Sequence, residues 1–192
     1  MWNFNLDNIS LYAFKEDAFT KEECKKIIDV SKNKKLKTGL VGSKNSTESK
    51  IRESKICWLY PEQEEVKWIY KRITDIVLTI NSKFFNFDLF GISEALQFTN
   101  YKAPSGKYGK HMDRGYGFSV RKLSVSIQLT DPKKYKGGEL KLYDGEDKHG
   151  VVMNKNQGAL VVFPSYVLHE VTPVTKGERN SLVTWVSGNQ FK

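Results

Sequence analysis

The second half of the chain constrains the fold most. After Gly91 the apolar residues fall into short runs of strand character: Glu94–Tyr101, Arg121–Thr130, Glu139–Tyr143, Ala159–Phe163 and Asn180–Val186. Turn-forming residues punctuate them, among them Pro104-Ser105-Gly106, Asp131-Pro132, Gly137-Gly138, Asp144-Gly145 and Pro164. Many short strands at regular spacing predict an all-β sandwich or barrel.

The first ninety residues have a different period. Thr20-Lys21-Glu22-Glu23 fits a capping box, with Thr20 as the cap and Glu23 three residues on. Cys24, Ile27 and Ile28 then form one apolar stripe on a helix that should end near Lys34, which gives Cys24 a core role. A strand is expected around Arg52–Tyr60. After it, Val66, Ile69, Tyr70, Ile73, Ile76, Val77, Ile80 and Phe84 follow the 3.6-residue period of a long amphipathic helix. Helices first and strands afterwards place the helices outside a β core. Between the two helices, Lys32 to Ser49 is rich in Lys, Ser, Asn and Gly and reads as a loop, either simply solvated or acting as a lid over the site.

Composition narrows the class. At 192 residues the chain suits one domain, and 39% hydrophobic with 12% aromatic residues is enough for a packed core. Two cysteines, Cys24 and Cys57, both in apolar-patterned stretches, exclude a disulfide framework or a cysteine zinc site as the organising principle. No run approaches the roughly 18 apolar residues of a membrane span. The N-terminal MWNFNLDNIS lacks the basic and apolar regions of a secretory signal, so a cytoplasmic location is expected. The net charge of +9 is compatible with nucleic acid, anionic membrane or acidic protein partners, although lysine-rich solvated faces are the commoner cause. Two thirds of that excess lies between Lys21 and Lys55, where eleven basic residues face five acidic ones.

Candidate chemistry centres on two of the three histidines. In extended chain His111 and Asp113, two residues apart, aim an imidazole and a carboxylate at one point. His169 follows the apolar strand that ends at Phe163-Pro164. Ten residues later Arg179 and Ser181 share a strand face, a guanidinium and a hydroxyl suited to clamping a carboxylate. Each feature has a bland reading too: a turn carboxylate, a structural histidine, an arginine paired with Glu178 or Glu170. Together they make a two-histidine, one-carboxylate facial triad that suits Fe(II), with a downstream cation for an acid that chelates the same iron.

With those residues in place the chain resembles a known family. Tyr101, Tyr108, His111-Met112-Asp113, Gly137-Gly138-Glu139-Leu140, Phe163-Pro164, His169-Glu170-Val171-Thr172-Pro173-Val174, Gly177-Glu178-Arg179 and Trp185 are similar to the Fe(II)/2-oxoglutarate oxygenases of the prolyl 4-hydroxylase superfamily. The likeness is strongest to small PKHD-type hydroxylases and runs from about Glu94 to Gly188. It implies a mainly β fold, a double-stranded β-helix (jelly-roll) with N-terminal helices packed on one sheet. Residues 1–192 would form one oxygenase domain, with 1–90 as helical support and lid loop and 91–190 as the core holding the metal site.

The resemblance also implies roles. His111, Asp113 and His169 would be the catalytic metal ligands, Arg179 would pair with the C5 carboxylate of 2-oxoglutarate, and Tyr101 would hydrogen-bond that cosubstrate. Ser181 adds a hydroxyl beside Arg179. Cofactors would be Fe(II), 2-oxoglutarate as cosubstrate, O2 and ascorbate (vitamin C). Collagen-type members use Lys where this chain has Arg179, and Leu140 replaces a hydroxyl residue found in some relatives. His149 has no counterpart and should lie on the surface. Val162, Phe163 and Trp185 could keep the pocket dry. The expected activity is hydroxylation of a C–H bond, on a prolyl or other residue of a peptide or protein. A free amino acid, another small molecule or a nucleic-acid component stays open as substrate. So do a catalytically silent jelly-roll that binds sugar or peptide, and a zinc hydrolase with the same triad.

Overall fold

Why the chain needs two sheets is visible in how its strands alternate. The structure, a computed structural model, describes residues 9–40, 51–115, 118, 120–145 and 148–189. In chain order they form β1 (Ala13–Lys15), α1 (Lys21–Lys32), β2 (Lys37–Thr38), β3 (Arg52–Glu53), β4 (Lys55–Leu59), α2 (Glu64–Phe84), β5 (Leu89–Ile92), β6 (Leu96–Lys102), β7 (Lys107–His111), β8 (Arg121–Gln128), β9 (Tyr135–Gly137), β10 (Leu140–Tyr143), β11 (Val151–Val152), β12 (Leu160–Pro164), β13 (Leu168–Val171) and β14 (Val174–Gly188). The major sheet runs β1-β12-β8-β14-β6-β4-β2, with β5 and β9 also paired to β14; the minor sheet runs β11-β10-β13-β7-β3. All pairings are antiparallel. This is the mainly β architecture with helices outside that the sequence predicts.

The helices form for the reasons the sequence shows. Thr20 Oγ1 accepts from the Glu23 N–H at 3.2 Å and Glu23 Oε2 accepts from the Thr20 N–H at 2.9 Å, completing the capping box. Losing such a cap typically costs about 1 kcal/mol. Helix α1 buries Cys24, Ile27 and Ser31; α2 buries Val66, Ile69, Ile73, Val77 and Ile80. Both stripes join one core with Leu59 of β4, Phe98 of β6, Leu123, Val125 and Ile127 of β8 and Leu182 of β14. The helices therefore cover the outer face of the major sheet. Truncating a fully buried isoleucine here, such as Ile73, should cost roughly 2–5 kcal/mol.

The inner face packs a second cluster that includes Tyr101, Leu140, Phe163, Val171 and Val174. Period-two alternation decides which side each residue serves. On β12, Val161 and Phe163 face this inner cluster, whereas Val162 belongs to the helix-covered core. Val162 is thus not a pocket residue; its neighbour Phe163 is.

The N-terminal segment supplies strands as well as helices. β1 pairs with β12, β4 with β6, and β3 with β7 of the minor sheet. Within the lysine-rich stretch, Lys37–Thr38 is not loop but an edge strand on β4. Solvated lysines suit such an edge, because they discourage pairing with another chain. The lid expectation for Val41–Ser49 lies outside the described residues. Among the described residues no helix is long and apolar enough to cross a membrane.

Candidate active site

The metal-ligand candidates meet because the minor sheet pairs β13 with β7. That pairing sets His169 directly opposite His111. The chain leaves β7 through Met112, and Asp113 follows in a bend that turns its carboxylate toward both rings. Asp113 Oδ1 lies 3.6 Å from His111 Nε2 and Oδ2 lies 3.4 Å from His169 Nε2. One ligand atom from each residue falls within 4.8 Å of the others. The third histidine, His149, is exposed and is not part of this cluster.

Backbone carbonyls orient both rings. His111 Nδ1 lies 2.8 Å from the Gly109 oxygen and His169 Nδ1 lies 2.9 Å from the Val167 oxygen. A carbonyl can only accept, so each Nδ1 carries the proton and each Nε2 lone pair is free to face the carboxylate. Burial, then the neighbouring His169, pull the His111 imidazole down to about 4 despite Asp113 nearby. It is therefore neutral near pH 7, as a ligand must be. Burial pushes Asp113 up, but His169, His111 and the Ser124 hydroxyl, which donates to Oδ2 at 2.7 Å, outweigh it and hold the carboxyl below its usual value. Two Nε2 atoms and one carboxylate, each residue fixed by a second contact, form a donor set that fits an Fe(II)-type ion.

Beside the triad is a cavity of about 450 Å³ between the two sheets, lined by His111, Asp113, His169, Tyr101, Arg179 and Ser181 among others. β6 and β14 pair so that Tyr101 sits opposite Arg179. Arg179 is only 2% exposed, yet among the described residues no carboxylate pairs with it. The two glutamates that could have neutralised it are engaged elsewhere: Glu178 with Lys32 and Lys102, Glu170 with the Tyr143 hydroxyl. Its partners are neutral. Nη1 donates to Ser181 Oγ at 3.3 Å, and the Tyr101 ring centroid lies 5.4 Å from Cζ. Burial raises the pKa of Tyr101 and Tyr135, so both phenols stay protonated as donors. A buried guanidinium without a counter-ion is costly unless an anion arrives. Gly138 makes room for it, since a Cβ there would lie 3.0 Å from Arg179 Cδ and 2.8 Å from Val174 Cγ2, at a φ of +59°.

Arg52, expected from sequence only to lie near the mouth of the site, and Arg121 with Glu94, which the sequence did not point to, also line the cavity. Arg52, 8% exposed, donates to Ser54 Oγ, the Leu40 oxygen and Gln97 Oε1 at 2.9, 3.0 and 2.8 Å. It also lies over Tyr108, which stacks on His111 at 3.5 Å. The signal available was Arg52 and Ser54 two apart on one strand face. Arg121 pairs with Glu94, donates to the Asp113 carbonyl at 3.2 Å and lies 3.8 Å from the Trp185 ring. Nothing local in the sequence links Glu94 to Arg121. Phe163, Trp185 and Leu140 supply apolar wall.

Two facing antiparallel sheets that bring a His-x-Asp…His cluster next to a buried arginine, unneutralised among the described residues, define a class: a jelly-roll with a candidate metal centre beside a candidate anion pocket. The family model of the 2OG-Fe(II) oxygenase superfamily matches residues 96–187, the segment that carries the triad and Arg179. A PKHD-type hydroxylase of Nitrosomonas europaea is 38% identical over 89 residues, 43% of this chain and 38% of that protein. The match thus spans well under two thirds of that relative's length. Among solved structures, a Pseudomonas putida prolyl-4-hydroxylase superposes with a TM-score of 0.74 at 22% identity, covering 93% of both chains. A Trichoplax adhaerens prolyl hydroxylase superposes with a TM-score of 0.78 at 18% identity, covering 93% of this chain and 84% of that one. These two likenesses concern the fold.

Proposed function

We propose that the protein is an Fe(II)- and 2-oxoglutarate-dependent dioxygenase that hydroxylates a C–H bond of a prolyl or other residue in a peptide or protein. One observation carries this reading: a buried arginine without a carboxylate partner, in the same cavity as two histidines and an aspartate that can share one ion. A hydrolase needs the ion but not the arginine.

His111, Asp113 and His169 would hold the iron through Nε2, a carboxylate oxygen and Nε2. The bound pair supplies the chemistry, converting 2-oxoglutarate and O2 to succinate and CO2 while hydroxylating the substrate. The chain's own residues then do three things. Arg179 grips the C5 carboxylate through its planar fork of donors, with Ser181 and Tyr101 placed to add hydroxyl donors. Carbonyls of Gly109 and Val167 hold the two imidazoles in the ligating tautomer, and Ser124 holds the Asp113 carboxylate. Phe163, Leu140 and Trp185 exclude water from the wall of the cavity, which strengthens each charged contact inside it.

A peptide or protein substrate is supported by analogy of fold: the Trichoplax prolyl hydroxylase was solved with a hypoxia inducible factor peptide fragment. The experiment is succinate release from 2-oxoglutarate with Fe(II) and ascorbate, followed by mass spectrometry of offered proline-containing peptides for an added oxygen. Succinate formation that depends on Fe(II) and is lost in Arg179→Ala supports the reading. No 2-oxoglutarate binding in the metal-loaded protein would sink it.

A further inference from the structure

The excess positive charge has a location. Two grooves outside the catalytic cavity, of about 660 and 740 Å³, share Lys32 and Glu178 as a border and so lie side by side as one basic channel. Arg52 lines the first groove and the catalytic cavity alike, so this buried side chain is the wall that separates the channel from the active site. Six lysines line it: Lys21, Lys25, Lys32, Lys55, Lys102 and Lys134. Against these six and Arg52 stand four acids, Glu22, Glu53, Asp131 and Glu178. Glu178 is shared between Lys32 and Lys102, at 3.7 Å from each, so one carboxylate answers two ammonium groups. All six lysines are exposed.

We propose that this channel binds an acidic polypeptide segment flanking the residue to be hydroxylated. The inference rests on the peptide-hydroxylase reading and names the kind of substrate. Charge complementarity favours an anionic partner, and the shared Arg52 wall sets the channel next to the catalytic cavity, so a segment lying in it would flank a residue held at the metal centre. Peptide is favoured over single-stranded nucleic acid because, among the described residues, neither groove is lined by an aromatic ring on which a base could stack. The interspersed acids also suit a partner with alternating side chains better than a uniform phosphate backbone. Lysines on flexible stems, rather than bidentate arginines, fit scattered carboxylates read by charge more than by geometry.

The test uses the full chain with Mn(II) and 2-oxoglutarate, and fluorescence anisotropy of three labelled probes. These are a peptide with one proline followed by a run of glutamates, its glutamine counterpart, and a single-stranded oligonucleotide of equal charge. The glutamate peptide should bind about tenfold or more tighter than the glutamine peptide, and the difference should shrink as salt is raised. In Lys25→Glu/Lys55→Glu/Lys134→Glu that preference should disappear while the melting temperature stays that of the wild type. Equal affinity of the wild type for the two peptides overturns the proposal whatever the variant does. Tighter binding of the oligonucleotide overturns it in favour of nucleic acid. Binding is read without turnover, so the two readings fail separately. A glutamate preference without succinate formation in the presence of Fe(II) would refute the hydroxylase alone; succinate formation without the preference would refute the channel alone.

Discussion

Replacing Arg179 tests both the cosubstrate and the reason for the residue's burial. In the wild type, 2-oxoglutarate at about 100 times its Kd stabilises the folded state by about 2.7 kcal/mol. For a domain of this size each kcal/mol moves Tm by about 2–4 °C, so a shift of roughly 5–11 °C is expected. Arg179→Ala leaves the C5 carboxylate unpaired in a pocket where Ser181 and Tyr101 offer only neutral donors. Losing a charge-assisted contact of this kind costs about 2–5 kcal/mol, or roughly 30- to several-thousand-fold in affinity. At the same concentration the ligand-induced shift should fall to about 3 °C or less. Arg179→Lys should be intermediate, because it keeps the charge and loses the fork. Arg179→Met separates the charge from the packing. It keeps the bulk of the stem and removes a buried cation that no carboxylate among the described residues neutralises, so its unliganded Tm should equal or exceed that of the wild type. The assay is differential scanning fluorimetry with Mn(II) in place of Fe(II). A full 2-oxoglutarate shift in both Arg179→Ala and Arg179→Met would refute the assignment of Arg179 to the cosubstrate.

Further outcomes follow from the same contacts. His111→Ala, Asp113→Ala and His169→Ala should each abolish Fe(II)-dependent succinate formation with far-UV circular dichroism unchanged, and His149→Ala should leave the rate intact; substantial turnover in any triad variant would remove that residue from the ligand set. Gly138→Ala should raise the Kd for 2-oxoglutarate about tenfold, by isothermal titration, since its Cβ would crowd Arg179 and Val174 at a positive φ; an unchanged Kd would show that the guanidinium is not positioned there. The Cys24 thiol is pushed up to about 12 by burial, so it should resist iodoacetamide at pH 8 in the native protein and react once urea unfolds it. Above pH 9 the unfolded thiol ionises while the native one does not, so Cys24 should make the fold less stable as pH rises toward 12, measured by urea melts.

The parts legible in the sequence are those that local chemistry decides. Thr20 and Glu23 meet because a helix start brings residues three apart together, and the stripe on α2 follows from 3.6 residues per turn. Period two placed His111 with Asp113 and Arg179 with Ser181 on common faces, which is enough to suggest a metal site and a carboxylate clamp. Period two also says which residues share a face without saying what that face will meet. That is why Val162 could be placed at the pocket when it packs under the helices. Pairing of β13 with β7 and of β14 with β6 decides that His169 faces His111 and that Arg179 faces Tyr101. Those partners lie far apart in the chain, and their register follows from burying both sheet faces at once. Arg52 was legible as a charged residue on a short strand; only the closure of the minor sheet over the major one turned it into a buried wall of the site. The same closure leaves Arg179 without a carboxylate, because Glu178, its neighbour in sequence, alternates to the opposite face and meets Lys32 and Lys102 there.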